Sequence, residues 1–386
     1  MIPPSYAIRN IAKHKVTSIL TILGISLVVF VFVGSLMLSN GLQEMMVATG
    51  YTENVTIIRK ASQSEVMSII TYDQAQIVKS APEVARDTVG NPLLTGEVYV
   101  LISLPKRNSG EKANIVVRGV DPMSMTLRPN VKIISGRMWQ DPGSEIITGK
   151  SAAERYTGCA IGEKVRFGMR EWTVVGVFDA GGSAYESEIW CDINQASNAF
   201  RRPIYSSLTL RLKDTTLYEA FKARIENDPR LPLDVRHEKD YYAAQSSFVT
   251  TFVDVTGTVI SVIFSLGAIV GAMITMYSAV ANRTKEIGTL RALGFGRLSV
   301  LTVFLFESLV ISLAGGLLGL AGAYFLNFLQ ISTTNWGTFS ELAFGFRLSP
   351  TIAVIALLFS LAMGLVGGFL PAVRASRLKI VDSLRA

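Results

Sequence analysis

Residues 16–43 read VTSILTILGISLVVFVFVGSLMLSNGLQ, 28 positions without one Asp, Glu, Lys or Arg. At ~1.5 Å per residue such a helix spans ~42 Å, more than the ~30 Å hydrocarbon core of a bilayer. It exceeds a secretory h-region and lacks a small-x-small cleavage site, so the stretch predicts a retained anchor whose far end projects beyond the lipid. Three further apolar runs, 247–281, 298–329 and 350–371, predict three more spans. Between the first and second spans lies one polar segment, 44–246. The expected fold is therefore an α-helical membrane protein with four transmembrane helices, one before and three after an inserted domain.

Composition agrees. Of 386 residues, 49% are hydrophobic and only 17% charged, with a mean hydropathy of +0.37; a soluble domain carries about 25% charged residues. The net charge of +7 is not spread evenly. Between Gly41 and Ser246 there are 25 basic and 25 acidic residues, and the other 12 basic residues flank or separate the apolar runs. A nucleic-acid binder concentrates basic charge on a soluble face, so no nucleic acid is expected. Basic residues also set orientation, because short cytosolic flanks are enriched in Lys and Arg. The segment 1–15 carries Arg9, Lys13 and Lys15, the 282–297 loop carries four basic residues, and the 372–386 tail another four. The 330–349 loop has Arg347 alone. An even number of spans places both termini on the basic-rich side, the cytosol, and the 44–246 domain and 330–349 loop outside it.

The outer domain reads as mixed α/β. Strand-like runs occur at 114–120, 132–135, 145–148, 172–178, 189–193 and 207–212, and helical patterns at 72–80, 151–156, 195–200 and 216–227. Gly149-Lys150-Ser151 has the ending of a phosphate-binding loop. The GxxxxGK[ST] spacing requires a glycine where Ser144 stands, and the segment lies outside the cytosol, so a structural turn is the better reading. Cys159 and Cys191 could pair in an oxidising compartment or remain buried thiols. His14 and His237 have no partners at ligand spacing, and no metal site follows. No nucleophile elbow, metalloprotease pair or carboxylate dyad is present. The chain is read as carrying no catalytic residues, bound cofactor or metal of its own.

Three spans carry a GxxxG: Gly267/Gly271, Gly315/Gly319 and Gly364/Gly368. That spacing lets helix backbones approach closely in lipid; packing between subunits is favoured here over packing within one. Glu307 lies nine residues into the third span. A carboxylate at that depth is costly and faces protein or a wet cavity, and an interhelical polar contact is favoured over a role in substrate passage. The most informative loop is 282–297, NRTKEIGTLRALGFGR. Ile287, Leu290 and Leu293 recur at three-residue spacing as a short apolar stripe. Arg283, Lys285, Glu286 and Arg291 occupy the remaining surface, and Gly294 with Gly296 turns the chain back. Such a helix could rest on membrane lipid or dock in a cytosolic protein.

At this loop the chain resembles the permeases of the MacB, LolCE and FtsX type of ABC transporter. The likeness extends to YAIRNIAKHK (6–15), TILGI (21–25), VRGVDP (117–122), ISGR (134–137), ITGKSAA (147–153), VVGV (174–177), GFLPAVRASR (368–377) and SLR (383–385). RTKEIG (283–288) with RALG (291–294) is similar to the family's coupling segment. The resemblance implies that Arg283, Lys285, Glu286, Ile287, Gly288, Leu290, Arg291 and Leu293 meet an ATPase. It implies a cytosolic helix over 1–15, a bacterial inner-membrane location, and a homodimer or paralogous heterodimer. It further implies an outer domain of two subdomains, one of them discontinuous. MacB fuses its ATPase at the N-terminus, whereas this chain starts at the leading helix, so a separate ABC ATPase dimer holding ATP and Mg²⁺ is expected. Some members also use a periplasmic adaptor and an outer-membrane duct. The expected function is mechanotransmission, in which ATP hydrolysis on the partner moves the outer domain for export or extraction. The alternative is an FtsX-like signalling subunit that activates a cell-wall hydrolase without transport.

Overall fold

The structure, a computed structural model, describes residues 15–379. The leading helix expected over 1–15 and the SLR tail therefore lie almost wholly outside the described residues, together with Arg9, Lys13, His14 and Arg385. The chain divides into a helical unit, 1–41, 250–329 and 345–386, and an α/β unit, 42–249 and 330–344.

The α/β unit contains, in chain order, β1 (Asn54–Arg59), α2 (Tyr72–Lys79), β2 (Leu94–Pro105), β3 (Lys112–Val120), α3 (Pro122–Leu127), β4 (Lys132–Gly136), β5 (Glu145–Gly149), α4 (Lys150–Arg155), β6 (Lys164–Phe167), β7 (Arg170–Asp179), β8 (Glu188–Asp192), α5 (Ile193–Phe200), β9 (Ser207–Arg211), α6 (Tyr218–Glu226) and β10 (Leu233–His237). The strands form one ten-stranded sheet in the order β10-β1-β9-β2-β3-β8-β5-β7-β4, with β6 also on β7. β2 spans both halves: residues 94–97 pair with β9 and 98–105 with β3. Its 12 residues supply ~40 Å of extended chain at ~3.3 Å per residue, enough to serve two ladders. Two apolar cores follow from this. One gathers Val55, Ile57, Leu208, Leu210 and Val235 under α2 and α6; the other gathers Ile115, Val117, Ile146, Trp172, Val174 and Ile189. The first is assembled from segments up to Leu94, at the start of β2, and after α5, so it is discontinuous in sequence. Cys159 and Cys191 belong to the second core as free thiols, and burial pushes the Cys159 thiol up to about 12.

Four helices are long and apolar enough to cross a membrane among the described residues: α1 (Lys15–Thr49), α7 (Glu238–Asn282), the helix beginning at Arg297 and the one at Pro350. Both α1 and α7 extend past the apolar runs into residues of the α/β unit, so α7 begins before the 247–281 run. In the helical unit, α8 (Thr284–Ala292) connects α7 to α9 (Arg297–Tyr324), and α10 (Pro350–Arg377) closes the set. The 330–349 segment is more than a plain loop and contains a hairpin of β11 (Gln330–Thr334) and β12 (Glu341–Gly345). Ile25, Val29, Val33 and Met37 of α1 pack against Ala323, Ile352, Ala356 and Met363.

Candidate functional site: the short helix between two apolar helices

α8 is nine residues long, too short to persist alone in water, so tertiary contacts must hold it. Ile287 and Gly288 are buried. Ile287 joins Met276, Val280, Val300, Phe304, Ala372 and Ala375, side chains from α7, α9 and α10. Gly294 takes a left-handed conformation, φ +94°, which a side chain disfavours, and this reverses the chain into α9.

Arg283 precedes the helix and is 3% exposed. Its Nη1 and Nη2 donate to Glu307 Oε2 and Oε1, both at 3.1 Å, a bidentate pair that fits guanidinium to carboxylate. The guanidinium also lies 5.7 Å from the Phe304 ring centroid. No side chain caps the helix start, since a guanidinium has no acceptor to offer the free backbone N–H groups there. Spacing alone puts Arg283 on the surface of the loop. The structure corrects this: a charge at that depth is stable only when paired, and Glu307 on α9 supplies the partner.

The apolar stripe expected from spacing is corrected too. Leu290 is half-buried beside Val303 and Phe295, and Leu293 is 72% exposed. At the helix end the chain is already turning, so the 3.6-residue rotation that would align Leu293 no longer applies. Lys285 and Glu286 are exposed, with Thr289 and Ala292. Arg291 is half-buried and its Nη1 donates to the Leu378 carbonyl at the end of α10. One face of α8 is therefore anchored on three apolar helices, and the other presents Lys285, Glu286 and Leu293.

The glycine pairs separate into two groups. A Cβ on Gly319 would lie 2.6 Å from the Ser26 carbonyl oxygen, and one on Gly315 2.9 Å from Ile25 Cβ. On α10, Gly364 and Gly368 meet Ser312 and Ser308 of α9, and Ser308 Oγ donates to the Gly364 carbonyl at 2.6 Å. These two pairs serve packing within the chain. A Cβ on Gly267 or Gly271 would meet no atom within 4 Å; with Gly24, Leu20, Leu27 and Phe264 these glycines line an open groove.

The α/β unit holds a second polar constellation that no sequence motif announces. Arg118 Nη1 donates to Glu65 Oε1 at 2.9 Å and Glu97 Oε2 at 2.7 Å, and its Nε to Glu188 Oε2 at 2.7 Å. Arg128 bonds Glu97, and its Nη2 reaches Glu238 Oε1 at 3.2 Å. All six side chains are buried. The cluster sits where β2 passes from β9 to β3 and where α7 starts. Burial opposes ionisation of Glu97, but Arg128 and Arg118 outweigh it and hold its carboxyl at about 2. Burial lifts Glu188 above the ordinary carboxylate value, with Arg118 offsetting only part. The available signal is Arg118 itself, a charge in the buried run Ile115 to Val120, since a lone buried charge requires partners. Gly149-Lys150 proves to be the β5–α4 turn: a Cβ on Gly149 would collide with the Glu186 backbone, and Lys150 is exposed near Asp179.

Models of two protein families match the chain: a MacB-like periplasmic core domain over residues 18–228 and an FtsX-like permease C-terminal domain over 258–380. The chain is 26% identical to the uncharacterized ABC transporter permease YknZ of Bacillus subtilis, covering 98% of this chain and 97% of that one. It is 25% identical to the macrolide export ATP-binding/permease protein MacB of Bdellovibrio bacteriovorus, again over 98% of its own length, but spans only 60% of that relative. Among solved structures, the extracellular domain of the noncanonic ABC-type transporter YknZ from Gram-positive bacteria matches at a TM-score of 0.36 and 18% identity, covering 47% of this chain and 99% of that one. The periplasmic region of MacB from Actinobacillus actinomycetemcomitans matches at 0.37 and 13%, covering 53% and 94%.

Proposed function

Since the chain belongs to the family of ABC transporter permeases that join a MacB-like periplasmic core domain to an FtsX-like C-terminal domain, we propose that it couples ATP hydrolysis on a separate ATPase subunit to movement of its α/β unit. The unit lies outside the cytosol of a bacterial inner membrane, both termini lie inside, and the moved domain drives export or extraction of a substrate. ATP and Mg²⁺ are held by the partner. The observation that carries this reading is α8. A push on its exposed face passes directly into α7, α9 and α10, because Ile287 and the Arg283–Glu307 pair bind the opposite face to them. α7 is continuous from this end to Glu238 in the α/β unit, so one unbroken helix links the docking helix to the domain.

A second copy of the chain, or a paralogue, covers the groove of Gly24, Gly267 and Gly271, where helix backbones can approach closely in lipid. Reversing charge on the exposed face, Lys285→Glu with Glu286→Lys, tests the docking role. The expected result is at least an about tenfold loss of association with the ATPase that co-purifies with the native chain, and a parallel loss of substrate-dependent ATP turnover. Undiminished association with undiminished turnover rules the docking role out. Retained ATPase docking with activation of a cell-wall hydrolase and no substrate movement would favour signalling over transport.

A further inference from the structure

Around the buried cluster, the carboxylates Glu65, Glu97, Glu188 and Glu238 face two guanidiniums, Arg118 and Arg128. With all four ionised the cluster carries two negative charges in excess. The groups around them are almost all pure donors. Glu188 receives Arg118 Nε, Arg118 Nη2 and Trp190 Nε1, none of which can accept a proton's bond. Glu97 receives Arg118, Arg128 and Ser124 Oγ. Glu238 Oε2 receives the Tyr51 backbone N–H and Asn54 Nδ2, each at 3.0 Å, and Asn54 Oδ1 is already engaged by Arg211. Oε1 of Glu238 differs. Besides Arg128 Nη2, it faces the Tyr185 hydroxyl at 3.4 Å.

That hydroxyl opens a chain. Tyr185 Oη lies 3.2 Å from Tyr242 Oη, and Tyr242 Oη lies 3.4 Å from Glu65 Oε2. Three contacts therefore join Glu238 to Glu65, while the two hydroxyls supply only two protons. One contact is always an oxygen pair without hydrogen, and the excess charge makes that vacancy favourable to fill. We propose that the cluster is a proton-binding site in which one proton from the bulk solvent resides on Glu238 Oε1 and is donated as a hydrogen bond to Tyr185 Oη. Tyr185 then donates to Tyr242, and Tyr242 to the Glu65 carboxylate. One added proton completes all three bonds and reduces the excess charge by one. The Tyr185 oxygen also accepts from Arg128 Nε at 2.8 Å, and a hydroxyl oxygen has two acceptor sites, so this geometry accommodates the new bond.

The consequence is mechanical. Glu65 lies in the loop after β1, Tyr185 before β8, and Glu238 and Tyr242 on the first turns of α7. Immediately after α1, Gly50 approaches the same turn so closely that a Cβ there would collide with the Lys239 backbone. With the proton bound, the start of α7 is tied to the segment before β8 and to the loop after β1. With it lost, the tie loosens by one bond and gains repulsion among Glu65, Glu97, Glu188 and Glu238. The proton site stands whether or not the chain moves a substrate.

The test uses the full chain in lipid nanodiscs, with infrared difference spectra of the carboxylic-acid carbonyl band recorded between about pH 5 and about pH 8. The native chain is expected to show an acid band that Glu238→Gln diminishes by one carboxyl. Tyr185→Phe should lower proton affinity about tenfold, moving the midpoint by about one pH unit. Backbone amide exchange at residues 239–242 should quicken as the band is lost. An acid band undiminished in Glu238→Gln, or a midpoint unmoved by Tyr185→Phe in a chain with native circular dichroism, overturns the proposal. If Glu238→Gln does not fold, Tyr185→Phe and Tyr242→Phe decide by the same midpoint.

Discussion

Arg283 and Glu307 stand 24 residues apart and meet through two bonds of 3.1 Å at the junction of α8 with the apolar helices. Removing one member of a buried pair leaves the other uncompensated, which costs about 3–5 kcal/mol, whereas replacing both by apolar residues of similar volume is often neutral. Arg283→Ala is therefore expected to lower the stability of the helical unit by about that amount, and Arg283→Met with Glu307→Leu to recover most of it. Thermal unfolding in detergent checks this, and a double variant as unstable as the single one contradicts it. In the sequence Glu307 stands out as an isolated carboxylate in an apolar run. Its partner is not legible there, because Arg283 belongs by position to a basic loop, and only the fold turns it inward.

At the scale of elements, α9 is recognised on two faces by different means. Gly315 and Gly319 let α1 approach, and Ser308 and Ser312 receive the glycine face of α10. A side chain at Gly319 must displace the Ser26 carbonyl region, so Gly319→Val is expected to cost about 1–3 kcal/mol through overpacking. Gly271→Val meets open space and should change the stability of the single chain by no more than about 0.5 kcal/mol, while lowering the crosslinked dimer fraction if a second copy covers the groove. Melting temperature and crosslinking yield separate the two sites, and equal destabilisation by both would refute the distinction. Three GxxxG motifs are indistinguishable as sequence. Which ones face protein within the chain is set by helix rotation, and that is a tertiary property.

For the α/β unit as a whole, pH acts in two directions. Glu97 is held at about 2 in the fold, below an unfolded value of roughly 4.3. Its contribution is present above the unfolded value and lost as pH falls toward about 2. Glu188 is raised, so its contribution is complete below the unfolded value and lost as pH rises through its folded one. Stability of this unit should therefore peak at mildly acidic pH and fall steeply below about pH 4. Glu97→Gln should flatten the acid limb. Melting temperature against pH measures both, and a native profile flat down to about pH 2 would contradict the assignment.

Much of the molecule is determined by its sequence alone. Apolar length defines four membrane-length helices, since a helix must match the bilayer. Local alternation and turn residues place β3, β5, β7, β8 and β9 close to where they form. The 282–297 loop declares a short helix between two apolar ones by its glycines and charges. Other features depend on contacts distant in the chain. β2 serves two ladders, β1 and β10 join from opposite ends of the domain, and 330–349 folds into a hairpin, because strand partners are chosen by the assembled sheet. The inward turn of Arg283, the outward one of Leu293 and the convergence of four carboxylates on Arg118 and Arg128 are likewise decided by tertiary structure. A charge's partner is whatever the fold brings within about 3 Å, and sequence spacing does not encode that distance.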